Sequence, residues 1–528
     1  MTKFCVATLI VVGTVAGAGT AQAQVQSAEV TGGKLQGVVA SGIASFEGVP
    51  FAAAPVGENR WRSPQPVVPW TGVKMANAMA PACLQDTRMA ARLGAPTAVS
   101  EDCLYLNIWT PAKTPRDKLP VMVWVYGGAF VGGATNWPLY DGTHFAGRGV
   151  VLVSVAYRVG AFGFLAHPEL SEESGKGSGN YGLEDQIAGL KWVHDNIARF
   201  GGDPQRVTVF GESAGGISVS MLAASPAARG LFQRAISESG GSLTPPRSQG
   251  GAGVPVQSWA EDNGKAFFAA LGAANLKAAR AVPADKIMGA AQVVRGFWPV
   301  LDGHIIVGDE FELYSAGRFN DTPVLIGTNS DEGAAFTPGK VTPADYEKQI
   351  RGTYGEKADL ILAANPHSTD EEAHTAAKNN FRDSVFAWST WRWASLQSQH
   401  KSKGRAYLYY FDHRTPASPS GSSHATEIAF VFGNLANAFT PLTDAERALS
   451  ELMSSYWVNF ARNGDPNGPG LPPWPAFSDQ APKVMHFDEA SSARDGVPNF
   501  EQLKALDAYF AWRRDQAAHS QSAPRPDR

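Results

Sequence analysis

The stretch VTVFGESAGGISVS, residues 207–220, decides how this chain is read. "VTVF" is a short β-branched and aromatic run of the kind that fills a buried strand, and "AGGISVSMLAAS" is a helix-length run of small and apolar residues. Between them Ser213 sits in GESAG, a G-x-S-x-G pattern. The pentapeptide alone is weak, because it recurs by chance and a serine in a Gly-rich bend needs no function. Strand, sharp turn and helix together are what a nucleophile elbow requires. The turn strains the serine backbone, small neighbours at Gly211 and Gly215 admit it, and Oγ projects beyond the sheet edge. A serine hydroxyl is a poor nucleophile at neutral pH, so the reading needs a base, an orienting acid and donors for the oxyanion.

Length alone, 528 residues, would suggest about three domains. Strand-like and helix-like stretches alternate, however, with no Ser- or Pro-rich linker and no repeat of fixed period, which favours one large α/β unit over residues 24–515. Hydrophobic residues at 44% and charged residues at 18% describe an ordinary globular protein with ample core. A net charge of -4 leaves no basic stripe for nucleic acid or an anionic membrane. The opening MTKFCVATLIVVGTVAGAGTAQAQVQ reads as a secretory signal, residues 1–23, ending in Ala21-Gln22-Ala23 and too short and Gly-rich for a membrane span. Export to the periplasm or the medium, without a membrane anchor, is therefore expected. Cys5 lies near the start of the apolar run and is not placed like a lipid-attachment cysteine. Its removal leaves Cys83 and Cys103, an isolated pair expected to form a disulfide worth roughly 3 kcal/mol. There is no CxxC or HExxH, so neither metal nor organic cofactor is expected. The tail 516–528, QAAHSQSAPRPDR, is expected to be disordered. Oligomeric state is not legible.

Upstream of the elbow, PVMVWVYGGAFVGG (120–133) is an apolar run that breaks into Gly127-Gly128-Ala129-Phe130. It could be a strand ending in a flexible turn. The alternative is a backbone passing close to a substrate carbonyl with its N–H groups aimed at the oxygen, each such donor being worth about 3 to 4 kcal/mol in the transition state. Downstream, TPVLIGTNSDEGAAF (322–336) is a strand-like run followed by Asp331 and Glu332, either of which could orient a histidine at the carboxyl end of a strand. Of eleven histidines, His424 stands out in GSSHATEIAFVFG (421–433), because it follows the acid and completes the order serine, acid, histidine. His144, His167 and His194 precede the serine.

Assembled in order, these pieces resemble the type-B carboxylesterase family, which also contains the cholinesterases. FEGVPFAAAPVGENRW (46–61), SEDCLYLNIWTP (100–111), the run from GNYGLEDQ (179–186) to GESAGG, GTNSDEG (327–333), HATEIAFVFGN (424–434) and YWVNFARNGDPN (456–467) carry the resemblance over nearly the whole mature chain. It implies an α/β-hydrolase fold, with a large, mostly parallel sheet, helices on both faces and inserted helical segments covering a gorge. By the same resemblance Ser213 is the nucleophile, His424 the general base and Glu332 the acid. The oxyanion donors would be the N–H groups of Gly128, Ala129 and Ala214. Glu212 and Glu427 would be carboxylates close behind the serine and histidine. Cys83 and Cys103 would form the family's early disulfide, and Arg60 with Glu101 its buried ion pair. The implied activity is hydrolysis of a small-molecule carboxylic ester through an acyl-serine, without cofactor.

Departures from the family pattern also bear on function. The oxyanion loop reads GGA where many members have GGG, a change that keeps the N–H. The loop between Cys83 and Cys103 has no tryptophan, which removes the main cation–π residue for choline esters. Ala156 and Glu238 stand where Asn and Gln are usual, and the sequence offers no physical reason for either. In NNFRDSVFAWSTWRWASLQSQHK (379–401), Trp388, Trp391 and Trp393 read as core packing, whereas Arg382 or Arg392, if turned inward, could pair with a carboxylate on the acyl group. Exported bacterial members of the family include fumonisin esterases, which release tricarballylic acid, so a polycarboxylate ester is one candidate substrate. A broad aliphatic or aryl esterase is the generic alternative, an acyltransferase shares the same residues, and a non-catalytic binding domain would have lost part of the triad.

Overall fold

Val207 to Phe210, the run that opens the elbow motif, form the buried end of the central strand of an 11-stranded sheet. The computed structural model describes residues 24–248, 253–400, 404–416, 418–437 and 443–522, so the expected signal segment 1–23 lies outside the described residues. In chain order the strands are β1 (Val38–Ala40), β2 (Ile43–Pro50), β3 (Tyr105–Thr110), β4 (Leu119–Val125), β5 (Val151–Val155), β6 (Gly202–Glu212), β7 (Arg234–Glu238), β8 (Val324–Asn329), β9 (Ala406–Phe411), β10 (Lys483–Phe487) and β11 (Ser492–Asp495). In space they run β11-β10-β9-β8-β7-β6-β4-β5-β3-β2-β1. From β10 to β5 every pairing is parallel, and the pairings at both edges are antiparallel. The expected large, mostly parallel sheet is borne out.

The parallel strands are apolar on both faces because helices cover both sides. Val121–Val125 of β4 and Val324–Asn329 of β8 are buried throughout. The helix Ala214–Ala224 is buried along its whole length, which explains its composition of alanine, glycine and short apolar residues. A Cβ on Gly211 would meet the Val125 carbonyl oxygen at 2.5 Å, and one on Gly215 would collide with the same atom. Helix and strand can therefore cross this closely only where these two residues lack a side chain.

Two long excursions leave the sheet. Between β7 and β8 lie the helices Gln257–Leu271, Leu276–Ala281, Ala284–Val293 and Glu310–Ser315. Between β8 and β9 lie Pro343–Tyr354, Ala358–Ala364, Asp370–Arg382, a π-helical turn Asp383–Ala387, and Trp388–Gln399. The terminal helix Phe500–Ser522 continues past residue 515, so the tail is helical through Ser522 where irregular chain was expected. Residues 523–528 lie outside the described residues. Cys83 and Cys103 are joined with an S–S distance of 2.03 Å. Arg60 meets Glu101 through two hydrogen bonds, Nε to Oε2 at 2.8 Å and Nη2 to Oε1 at 2.6 Å.

Candidate active site

At the carboxyl end of β6 the chain turns through Ser213 at φ +54° and ψ -122°, a conformation that L-residues rarely adopt. The turn is held by a hydrogen bond from the Ser213 N–H to the Glu238 carbonyl at 2.9 Å, across to β7. Strand, strained serine and buried helix thus appear where the GESAG context places them.

The loop after β4 closes one side of the turn. Gly128 (φ +114°), Ala129 (φ +53°) and Phe130 (φ +59°) are all left-handed, and a Cβ on Gly127 would lie 3.1 Å from that of Ser213. The loop is clamped from the disulfide side. Gln85 Nε2 donates to the Cys83 carbonyl at 3.0 Å and the Gly133 carbonyl at 2.7 Å, and Gln85 Oε1 accepts from the Gly133 N–H at 2.7 Å. The N–H groups of Gly128, Ala129 and Ala214 have no acceptor among the described residues. Gly128 and Ala129 are exposed to the cavity in front of Ser213.

His424 lies in that cavity. Its Nδ1 is 2.5 Å from Glu332 Oε2, and Glu332 Oε1 accepts from the Asn329 N–H at 2.7 Å and Ser239 Oγ at 2.5 Å. Asp331, the other acid the sequence left open, is turned away and pairs with Lys378 Nζ at 2.8 Å. The outer nitrogen, Nε2, lies 3.1 Å from Glu212 Oε1. No hydrogen bond links His424 to Ser213 among the described residues, so the imidazole is braced between two carboxylates with the serine beside it. Phe386 stacks on the imidazole at 4.8 Å and Phe336 meets its edge at 5.2 Å. Glu427 is fully buried, and its Oε2 accepts from Asn329 Nδ2 at 2.5 Å.

Electrostatics follow from this crowding. Burial disfavours the imidazolium, but Glu212 and then Glu332 outweigh it and hold the His424 pKa above the usual histidine value. Burial, and behind it the charge of Glu332, raises Glu212, while His424 pulls it back down. Burial with the Glu212 and Glu332 charges raises Glu427 well above the carboxylate range.

The cavity has a volume of about 1180 Å³ and reaches outward from Ser213 and His424 to the short helix Arg88–Arg92. Arg88 and Arg92 both line its mouth, as do Met89, Leu93, Val131 and Phe336, apolar side chains that are all more than 40% exposed. Arg382 and Arg392 do not line it, contrary to the inward-pointing alternative. Arg382 is buried against Asp383, Nε to Oδ1 at 2.8 Å, and Arg392 Nε lies 3.3 Å from Asp507 Oδ1. Trp388, Trp391 and Trp393 are core residues, as expected. Nothing in the surroundings of Ala156 explains why it stands there.

Sheet, elbow and cavity are together those of an α/β-hydrolase. The carboxylesterase family model matches residues 20–504. The chain is 38% identical to fumonisin B1 esterase from Sphingopyxis macrogoltabida, with 88% of this chain and 87% of that protein covered. It is 37% identical to para-nitrobenzyl esterase from Bacillus subtilis (strain 168), with 86% and 93% covered. A solved structure of a PNB esterase superposes with a TM-score of 0.79 at 34% identity, covering 91% of this chain and 99% of the other. This protein belongs to the carboxylesterase family and is a carboxylic ester hydrolase.

Proposed function

We propose that the protein is an exported serine esterase that works through an acyl-serine on Ser213. The observation that carries the reading is the convergence, in one cavity, of a strained serine, an imidazole bound to a buried carboxylate, and the N–H groups of Gly128 and Ala129 without acceptors, with that of Ala214 next to the serine. The imidazole of His424 swings from Glu212 to Ser213, takes the hydroxyl proton as Oγ attacks the ester carbonyl, and returns it to the leaving alcohol. Glu332 holds the ring in the tautomer with Nδ1–H and stabilises the imidazolium. Gly128, Ala129 and Ala214 donate to the oxygen as it becomes anionic. Water then attacks the acyl-serine by the same route. Glu212, 3.1 Å from Nε2 in the resting arrangement, and Glu427 behind it shape the charge around the imidazole. The signal-like N-terminus and the Cys83–Cys103 disulfide support export. Ser213→Ala tests the assignment: it is expected to abolish ester turnover while leaving the melting temperature unchanged, and retained turnover would overturn it.

The mouth favours one substrate class within this reading, an amphiphilic ester carrying a carboxylate away from the scissile bond. Glu212 lines the floor beside Ser213, and Glu332 lies behind the imidazole, so the floor disfavours an anion. Arg88 and Arg92 sit four residues apart on the rim, Arg88 paired with Asp86 and Arg92 with no ion-pair partner among the described residues, alongside the apolar rim residues. A tricarballylic ester of fumonisin has these properties, and the similarity to fumonisin B1 esterase points the same way. The test is kcat/KM for acetyl, butyryl, octanoyl and tricarballyl esters of one alcohol. Preference for the tricarballyl ester, weakened about two- to five-fold by Arg92→Ala, is the expected result. A preference for neutral acyl chains that is indifferent to Arg88 and Arg92 would return the protein to general esterases.

A further inference from the structure

Glu238 ends β7 directly beside the elbow. Its carbonyl oxygen accepts from the Ser213 N–H, and its register partner on β6 is Glu212. Paired residues of neighbouring parallel strands project from the same face of the sheet, with the strands about 4.8 Å apart, so two carboxyl groups are set side by side here. Glu238 is fully buried. Its Oε1 accepts from Trp457 Nε1 at 2.8 Å, whereas Oε2 has no partner.

The groups that face this carboxyl are acidic or phenolic: Glu212 from β6, Glu427 from the helix Glu427–Phe432, Tyr409 from β9 and Tyr140 from the turn Pro138–Tyr140. Trp457, from the helix Asp444–Asn463, supplies one N–H. No lysine, arginine or histidine pairs with it among the described residues. An ionised carboxylate at this place would be an uncompensated buried charge next to a second carboxylate. Protonated, the same group is isosteric with an amide, keeps the Trp457 hydrogen bond and brings no charge. Burial foremost, with the Glu212 charge behind it, pushes the carboxyl up to about 8.

We propose that Glu238 stands beside the elbow as a neutral acid that leaves the charge on this face to Glu212 and slows the reaction from the alkaline side once it ionises. The proposal rests on the esterase reading above. Ionised Glu238 adds negative potential beneath Ser213, which opposes the charge building on the oxyanion and drives Glu212 to hold a proton of its own. Glu238→Gln retains an acceptor for Trp457 and cannot ionise.

The experiment is the pH dependence of kcat/KM for a neutral butyryl ester in wild type, Glu238→Gln and Ser213→Ala. The ratio of wild-type to Glu238→Gln kcat/KM is expected to start within about two-fold of one at pH of about 7 and to fall about ten-fold by pH of about 9.5, the ionisation of His424 acting on both proteins alike. Superposable alkaline limbs overturn the proposal. So does a loss of more than about ten-fold at neutral pH in a Glu238→Gln protein that melts like wild type, since the charge would then be needed. If Glu238→Gln fails to fold, Glu238→Met, of similar volume, carries the same expectation for the alkaline limb. Hydrolysis that survives Ser213→Ala would sink the esterase reading itself; Ser213-dependent hydrolysis with unchanged limbs sinks only the role of Glu238.

Discussion

Glu212→Gln is expected to move the acid limb of kcat/KM to lower pH by about one to two units. His424 can accept the Ser213 proton only when neutral, and its Nε2 lies 3.1 Å from Glu212 Oε1. Two unit charges at that separation attract by about 5 kcal/mol at an effective dielectric of about 20, equivalent to nearly ~4 pK units. Two features reduce this. Burial and Glu332 hold Glu212 above the ordinary carboxylate range, so it carries only part of its charge where the limb falls. Glu332, 2.5 Å from Nδ1, continues to support the imidazolium after Glu212 is gone. Removing a charge that favours the protonated ring lets the base form appear at lower pH, so the limb moves down, and the variant outruns wild type by about ten-fold on the acid side. Initial rates on a neutral butyryl ester, followed by pH-stat from about pH 5 to about pH 10, give the limb directly. An unmoved limb, or one shifted to higher pH, would refute the claim that Glu212 charges the imidazole.

Other perturbations test separate parts of the account. Glu332→Gln leaves the ring without the acceptor that fixes its tautomer, and kcat is expected to fall by about 10³- to 10⁴-fold with little change in KM. Ala129→Gly keeps the N–H and relieves a left-handed alanine, so kcat/KM for a neutral ester should change by less than about three-fold. Reduction of Cys83–Cys103 should lower stability by roughly 3 kcal/mol in chemical denaturation and also depress kcat, because Gln85 ties the oxyanion loop to Cys83. Glu310 is fully buried, accepts from Ser220 Oγ at 2.7 Å, and is pushed up to about 8 by burial. The folded state then holds a proton that the unfolded chain releases near about 4.5, so wild-type stability should fall as pH rises from about 4.5 to about 8. Glu310→Gln should flatten that fall, by at most on the order of 5 kcal/mol.

Much of the site could be read from local pattern, because each element announces itself within a few residues. VTVF before Ser213 and small residues after it require a strand, a tight turn and a helix that crosses β4 closely, and those steric demands are met at Gly211 and Gly215. The choice between Asp331 and Glu332 was not open to local reading. In the structure Lys378, forty-seven residues downstream, pairs with Asp331, and Glu332 faces His424. Arg382 was a plausible inward cation until its neighbour Asp383 and the Ser330 carbonyl are seen to absorb its donors. Arg88 and Arg92, two arginines four apart in a segment closed by a disulfide, are a local signal, but that this segment forms the cavity mouth depends on the fold. Glu238 looked like an arbitrary departure because its meaning lies in the β6–β7 register, which sets it beside Glu212. The same convergence brings Glu212 against His424 Nε2, a contact that spacing in the chain does not reveal.

The most direct test of the central claim is covalent labelling with a fluorophosphonate ester, with the modified residue located by peptide mass spectrometry and activity followed in parallel. The account predicts one equivalent of label on Ser213 and loss of ester hydrolysis in proportion to it. Hydrolysis that persists with Ser213 fully labelled, or is lost with the label on another residue, would contradict it.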